Sequence, residues 1–137
     1  MIEHIDDDVA SLKALRDVLN DGAAAVFTVP AYMFLWSRHD DFNQHKRRYT
    51  RPQFKKALQD AGFKVEFISY YNTLLFPAVF GVRMIKKILR LKDKTDMEIL
   101  NRGAVNRLLL ALFAFERHLL DIMPLPFGVS IIAVCRK

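Results

Sequence analysis

The sequence predicts an α/β fold, and three observations predict it. Short apolar runs fall at Ala24 to Val29, Lys64 to Tyr71 and Val129 to Cys135, each with the content of a strand. The first two each follow a segment of helical periodicity closed by a glycine turn, the order of an alternating helix–strand architecture. Finally, 137 residues that are 52% apolar suffice for one core and lie well outside the range of disorder.

Each element has a local cause. Asp6 or Asp7 can cap a first helix running to about Asn20, with Val9, Leu12, Leu15 and Leu19 as its apolar stripe. Acidic residues occupy its first turn, where the helix dipole favours them. Asn20-Asp21-Gly22 ends it, Gly22 being suited to the left-handed C′ position. Ala24 to Val29, closed by Pro30, then reads as a strand buried on both faces, as in a parallel sheet. Ala31 to Thr50 has no clean periodicity. It is aromatic and apolar at first (Tyr32 to Trp36), then polar and basic, and loops of this length are more often functional than idle.

Thr50 caps a helix over Arg51 to Asp60, with Pro52 in the first turn and Phe54 and Leu58 facing inward. Ala61-Gly62-Phe63 leads into a strand, Lys64 to Tyr71, that sets Val65, Phe67 and Ser69 against Lys64, Glu66 and Ile68. From Asn72 the spacing is helical again through Leu89, interrupted by Pro77 and Gly81. A polar connection at Lys92 to Asp96 precedes one or two helices over Met97 to Asp121, which Pro124 and Pro126 stop. Val129 to Cys135 is the last strand. The whole reads as a single domain over 1–137, partial in the sense given below, with 73–122 as a helical insertion or lid between its last two strands.

Charge and composition narrow the function. The net charge is +6, yet the first 21 residues are acidic, and the basic residues gather at Lys46 to Arg51, at Lys55 and Lys56, and again over Arg83 to Lys94. Such clusters suit phosphate, anionic lipid or nucleic acid, or simply a solvated face. Aromatic and basic residues do not alternate along a strand as stacking platforms require, so no nucleic acid partner is expected. A lone Cys135 excludes an internal disulfide and a cysteine zinc site, and reads as a buried inert thiol. His39, Asp40 and His45 are too loosely spaced for a ligand set, and no metal is expected. The acidic start lacks a secretory pattern, and the longest apolar runs fall short of the ~20 residues that span a bilayer. The expectation is a cytoplasmic protein, with a peripheral contact at the inner face of the membrane open to the basic amphipathic stretch 74–92.

The chain opens Ile2-Glu3-His4-Ile5-Asp6-Asp7, a run that normally follows a core strand. It continues with Ala31-Tyr32, Leu35-Trp36-Ser37, His39-Asp40 and His45 to Thr50 (H-x-R-R-Y-T), then Ala61-Gly62-Phe63 and Pro124 to Gly128. In order and content these segments resemble the C-terminal half of class I S-adenosylmethionine-dependent methyltransferases of the type 11/12-like group. The resemblance covers essentially the whole chain. It implies a Rossmann-like fold of which strands five, six and seven are present with flanking helices, the family order being 3-2-1-4-5-7-6 with an antiparallel seventh strand. The glycine-rich G-x-G-x-G loop and the acidic residue after the second strand are absent from the sequence. Those elements would supply close backbone approach to the cofactor and bonds to its ribose.

The resemblance also assigns roles. Glu3 and His4 correspond to positions bordering the methionine end of S-adenosylmethionine, the implied cofactor. His39 or His45 would act as the catalytic base, a neutral imidazole being suited to take a proton near pH 7. Tyr32, Trp36, Arg48 and Tyr49 would bind the acceptor, a small molecule or an isoprenoid-like lipid. The same residues are also read as loop histidines bonded to backbone, solvated arginines and ordinary core aromatics. The functional expectation is a truncated methyltransferase. Its alternative is a non-catalytic remnant or dimerising module, pairing as a homodimer or with a separate N-terminal half, because strand five would be left as an apolar edge.

Overall fold

The computed structural model describes residues 2–88 and 103–137. A 3-10 turn, Ile2–His4, leads into α1, Asp8–Val18. Asp7 starts that helix by accepting the Ala10 N–H on Oδ1 at 2.9 Å, which satisfies one donor that a helix N-terminus leaves open. Leu12 on its inner face is fully buried. The helix ends sooner than its periodicity predicts, with Leu19 as C-cap, so Gly22 is not the C′ residue. Gly22 instead takes φ 76° in a turn closed by the Ala23 N–H on the Asn20 carbonyl (3.0 Å), a conformation glycine adopts without steric cost.

After it come β1 (Ala24–Pro30), a 3-10 turn (Met33–Leu35), α2 (Arg38–Phe42), α3 (Arg51–Asp60) and β2 (Lys64–Tyr71). Two longer helices, α4 (Phe76–Ile88) and α5 (Gly103–Ile122), precede the final strand β3 (Ser130–Arg136). The class is α/β as predicted. The strands form one sheet in the order β1-β3-β2, with β3 antiparallel to both neighbours. The last strand of the chain is therefore the central one, and β1 and β2 run parallel to each other across it. Ile131, Ala133 and Cys135 of β3 are fully buried on the face that meets α1 and α3. Leu12, Phe54 and Leu58 fill the space opposite, each contributing about 1.5–3 kcal/mol by burial.

Two strand readings are corrected. β1 is not a parallel strand buried on both faces: it is an antiparallel edge strand, with Phe27 and Val29 in the core and Val26 63% exposed on the other face. Its apolar run marks a sheet face that no described element covers at Val26. In β2 the register slips, Val65 opposing Cys135 and Phe67 opposing Val134, so Glu66 is an extra residue. A bulge inverts the alternation beyond it, and Ile68 and Tyr70 join Val65 on the core face where Phe67 and Ser69 were expected. The displaced Glu66 is not idle, because Arg136 donates from Nε and Nη2 to its two oxygens at 2.8 and 3.2 Å.

Thr50 and Gln53 form the capping box of α3, the Thr50 N–H and hydroxyl both donating to Gln53 Oε1 at 2.9 Å. Pro77 does not interrupt α4 but sits in its first turn, where a missing N–H is harmless. Glu116 of α5, buried, accepts the amides of Thr73 and Leu74 at 3.1 and 3.2 Å and so anchors the start of α4. The connection read at Lys92 to Asp96, residues 89–92 of the basic stretch and residues 97–102 lie outside the described residues. No helix among the described residues is long and apolar enough to cross a membrane.

Gly128 lies against β2: a Cβ there would stand 2.9 Å from the carbonyl carbon of Tyr71, and backbone cannot yield as a side chain can. Gly128→Ala is expected to lower the unfolding free energy by about 1–3 kcal/mol. Gly81→Ala, inside α4 with nothing near its added methyl, is expected to raise it by about 0.5–1 kcal/mol. Urea titrations of the two variants measure the contrast.

Candidate functional site

The site is built on α2, a helix of five residues that the sequence reads as loop. Ser37 is its N-cap, and Asp40, three residues on, closes the box by accepting the Ser37 N–H at 2.8 Å and the hydroxyl at 3.1 Å on Oδ2. The Asp40 carboxylate is fully buried, so it needs further partners. Arg48 supplies two, donating from Nε to Oδ1 at 2.8 Å and from Nη2 to Oδ2 at 2.9 Å. Its remaining Nη1 donates to the Ala31 carbonyl at 3.0 Å, at the end of β1. This forked pairing is the geometry in which arginine binds a carboxylate best. The acceptor expected for Arg48 is thus replaced by a carboxylate of the chain itself.

His45 completes the group, its Nδ1 lying 2.9 Å from Asp40 Oδ1. Burial alone pushes the Asp40 carboxyl up, but Arg48, His45 and the Ser37 amide override it and hold it at about 2. An ionised carboxylate only accepts, so Nδ1 carries the proton and Nε2 is the nitrogen left open.

The N-terminal segment is stapled to this loop. The Lys46 N–H donates to the Glu3 carbonyl at 2.7 Å, and buried Ile2 anchors the same turn in the core. Lys46 Nζ pairs with Asp6, and Arg47 meets Asp8 at 3.0 Å and the Asp6 carbonyl at 2.6 Å. Tyr49 donates its hydroxyl to Asp8 at 2.7 Å and is packed in the core on Phe54; burial, then Asp8, push its pKa up. The basic run Lys46 to Arg48 is therefore matched by the acidic residues Asp6, Asp8 and Asp40. It is not a free anion-binding patch.

This stapling sets the predicted cofactor residues beside the predicted base. The His4 and His45 rings meet edge to face at 4.7 Å between centroids, and His4 Nε2 lies 3.6 Å from Glu3 Oε1. One donor atom from each of Glu3, His4 and His45 falls within 4.8 Å of the others. Burial raises the Glu3 carboxyl, but the terminal ammonium, its own amide and His4 outweigh that and hold it below its ordinary value. His39, the other candidate base, is exposed on α2 and bonds Asn43 at 2.9 Å.

Of the expected aromatic wall only Tyr32 belongs to a larger aromatic cluster. Trp36 instead donates Nε1–H to Asp41 Oδ1 at 2.9 Å. Tyr32, held at φ 57°, stacks on Tyr70 at 5.1 Å and on Phe34 at 4.9 Å. Burial, then the bond to Tyr70, raise its phenol pKa. Phe76 of α4 meets Tyr32, Phe80 and Phe127 at 5.9, 5.9 and 5.4 Å. Phe34, Phe80 and Phe127 keep roughly two fifths of their surface exposed, so the cluster presents an open aromatic face. Sequence reasoning missed these phenylalanines, which come from three separate segments. It also weighed Asp40 only as a metal ligand, although the S-x-x-D spacing from Ser37 was a readable capping signal.

No protein-family model matches the chain, and no curated protein matches it either.

Asp40→Asn keeps the shape but leaves Arg48 as an uncompensated buried charge, and an unfolding loss of about 3–5 kcal/mol is expected in urea titrations. The native carboxylate gives a second expectation. Its pKa falls from an ordinary 3.8 to about 2 on folding, so its contribution is complete above pH 4 and is lost as pH drops toward 2. Thermal melts across that window should decline more steeply for the native chain than for Asp40→Asn.

Proposed function

We propose that this chain is the acceptor-side part of a class I S-adenosylmethionine-dependent methyltransferase domain, acting on a small apolar or lipid-like acceptor. The convergence of Glu3, His4 and His45 carries the reading. The resemblance assigns the first two to the methionine end of the cofactor and the third to the acceptor's proton, from segments far apart in sequence. They meet in one place. The strand order β1-β3-β2, with β3 antiparallel, supports the fold half of the proposal, since strands five, seven and six would have that order and those directions.

S-adenosylmethionine supplies a methyl group made electrophilic by its sulfonium. Anionic Glu3 suits the positive charge of that molecule's methionine end. His45 Nε2, left open by the bond from Nδ1 to Asp40, takes the proton of the acceptor's hydroxyl or amine. Tyr32, Phe34 and Phe80 form the surface on which an apolar acceptor lies, and alignment is the main source of rate. The sequence holds no glycine-rich loop, and none of its residues is assigned to the adenosine and ribose of the cofactor.

A second reading, a pairing module without catalysis, is favoured by the outer edge of β1, which pairs with no other strand among the described residues. Titrating S-adenosylmethionine into the isotopically labelled chain separates the two by NMR. The expected result is weak, saturable shifts of the Glu3, His4 and His45 amides that Glu3→Gln removes. Absence of those shifts, with a dimer by light scattering, overturns the catalytic reading in favour of pairing.

A further inference from the structure

We infer that Glu3, His4 and His45 form a binding site for a divalent transition-metal ion of the zinc, cobalt and nickel class. This goes beyond the methyl-transfer reading and does not rest on it. Two imidazoles and one carboxylate are a donor set such ions favour, and three protein ligands leave a further position open to water or a small ligand. The donor atoms lie within 4.8 Å of one another, and the His4 Nε2 to Glu3 Oε1 separation is 3.6 Å. Ligands about a tetrahedral ion with bonds of about 2.0–2.1 Å stand roughly 3.3 Å apart, so small side-chain rotations close the set.

Three further features suit a metal. His45 gives its Nδ1–H to buried Asp40, the carboxylate–histidine pairing that fixes the tautomer and leaves Nε2 as the nitrogen for a metal. Arg48 fixes Asp40 in turn, so the orienting group is itself rigid. Two nearby cations are already engaged, Lys46 by Asp6 and Arg47 by Asp8, which lessens their repulsion of an incoming dication, and the ion would take the place of the terminal ammonium at the Glu3 carboxylate. The side chains of Glu3 and His45 are 12% and 13% exposed while that of His4 is 39% exposed, so an ion can enter past His4 into a sheltered position.

Metal binding and proton uptake use the same His45 nitrogen. The two roles exclude one another at any moment, and a bound ion would silence the base.

The test is titration of cobalt(II) into the full chain carrying no polyhistidine tag, read by visible absorption and by calorimetry. One equivalent is expected, with the intense bands of a four- or five-coordinate ion, displaced by an equivalent of zinc. His4→Ala and His45→Ala should each weaken binding at least tenfold. His118→Ala, an exposed histidine on α5, should leave it unchanged. His4 is exposed, so its variant keeps the fold and decides the matter even if His45→Ala does not. No cobalt bands at millimolar metal, or an affinity equal in the native chain and His4→Ala, overturns the proposal.

Discussion

The structure around the site depends on one buried ion pair. Asp40 has no exposure to water, and Arg48 answers it with two parallel hydrogen bonds while a third donor reaches the end of β1. That third bond matters as much as the other two. It ties a five-residue helix, too short to persist alone, to the sheet. Buried pairs of this kind add little net stability against an apolar substitute. What this one does is fix a geometry: it leaves one arrangement in which the Asp40 carboxylate meets Ser37, His45 and Arg48 together.

From that pair the rest of the site follows outward. Asp40 orients His45, and the loop holding His45 is then bonded through Lys46 to the backbone of Glu3. The acidic run and the basic run neutralise each other through Asp6 with Lys46 and Asp8 with Arg47. Exposed pairs of this sort are individually weak. Here they act together with buried Ile2 and Tyr49, which anchor the same two segments in the core. The charge imbalance along the chain thus reflects pairing partners that lie apart in sequence.

The helix starts were legible because capping is local. Asp7 accepts the amide three residues ahead, and Thr50 closes its turn by donating to the Gln53 side chain three residues ahead. The strands were legible in position and less so in facing. Lys64 to Tyr71 alternates cleanly on paper, but Glu66 drops out of register and Ile68 and Tyr70 turn inward. A bulge has no sequence mark here, since its cause is the partner strand. Similarly, the apolar run of β1 reads the same whether both faces are covered or the strand is an edge with Val26 exposed.

The sequence by itself determined the three strand positions, the starts of α1 and α3, the order of those elements and the residue types that bear chemistry, because each depends on neighbours within a few residues. Only the tertiary structure decided which of those residues meet. Arg48 was free in sequence to bind a ligand, and in the fold it binds Asp40. His39 and His45 were equivalent in sequence, and the fold turns one to solvent and sets the other against His4 and Glu3. The reason is physical: a buried carboxylate must find its donors wherever the chain can bring them. Where Asp40 found them fixed the site.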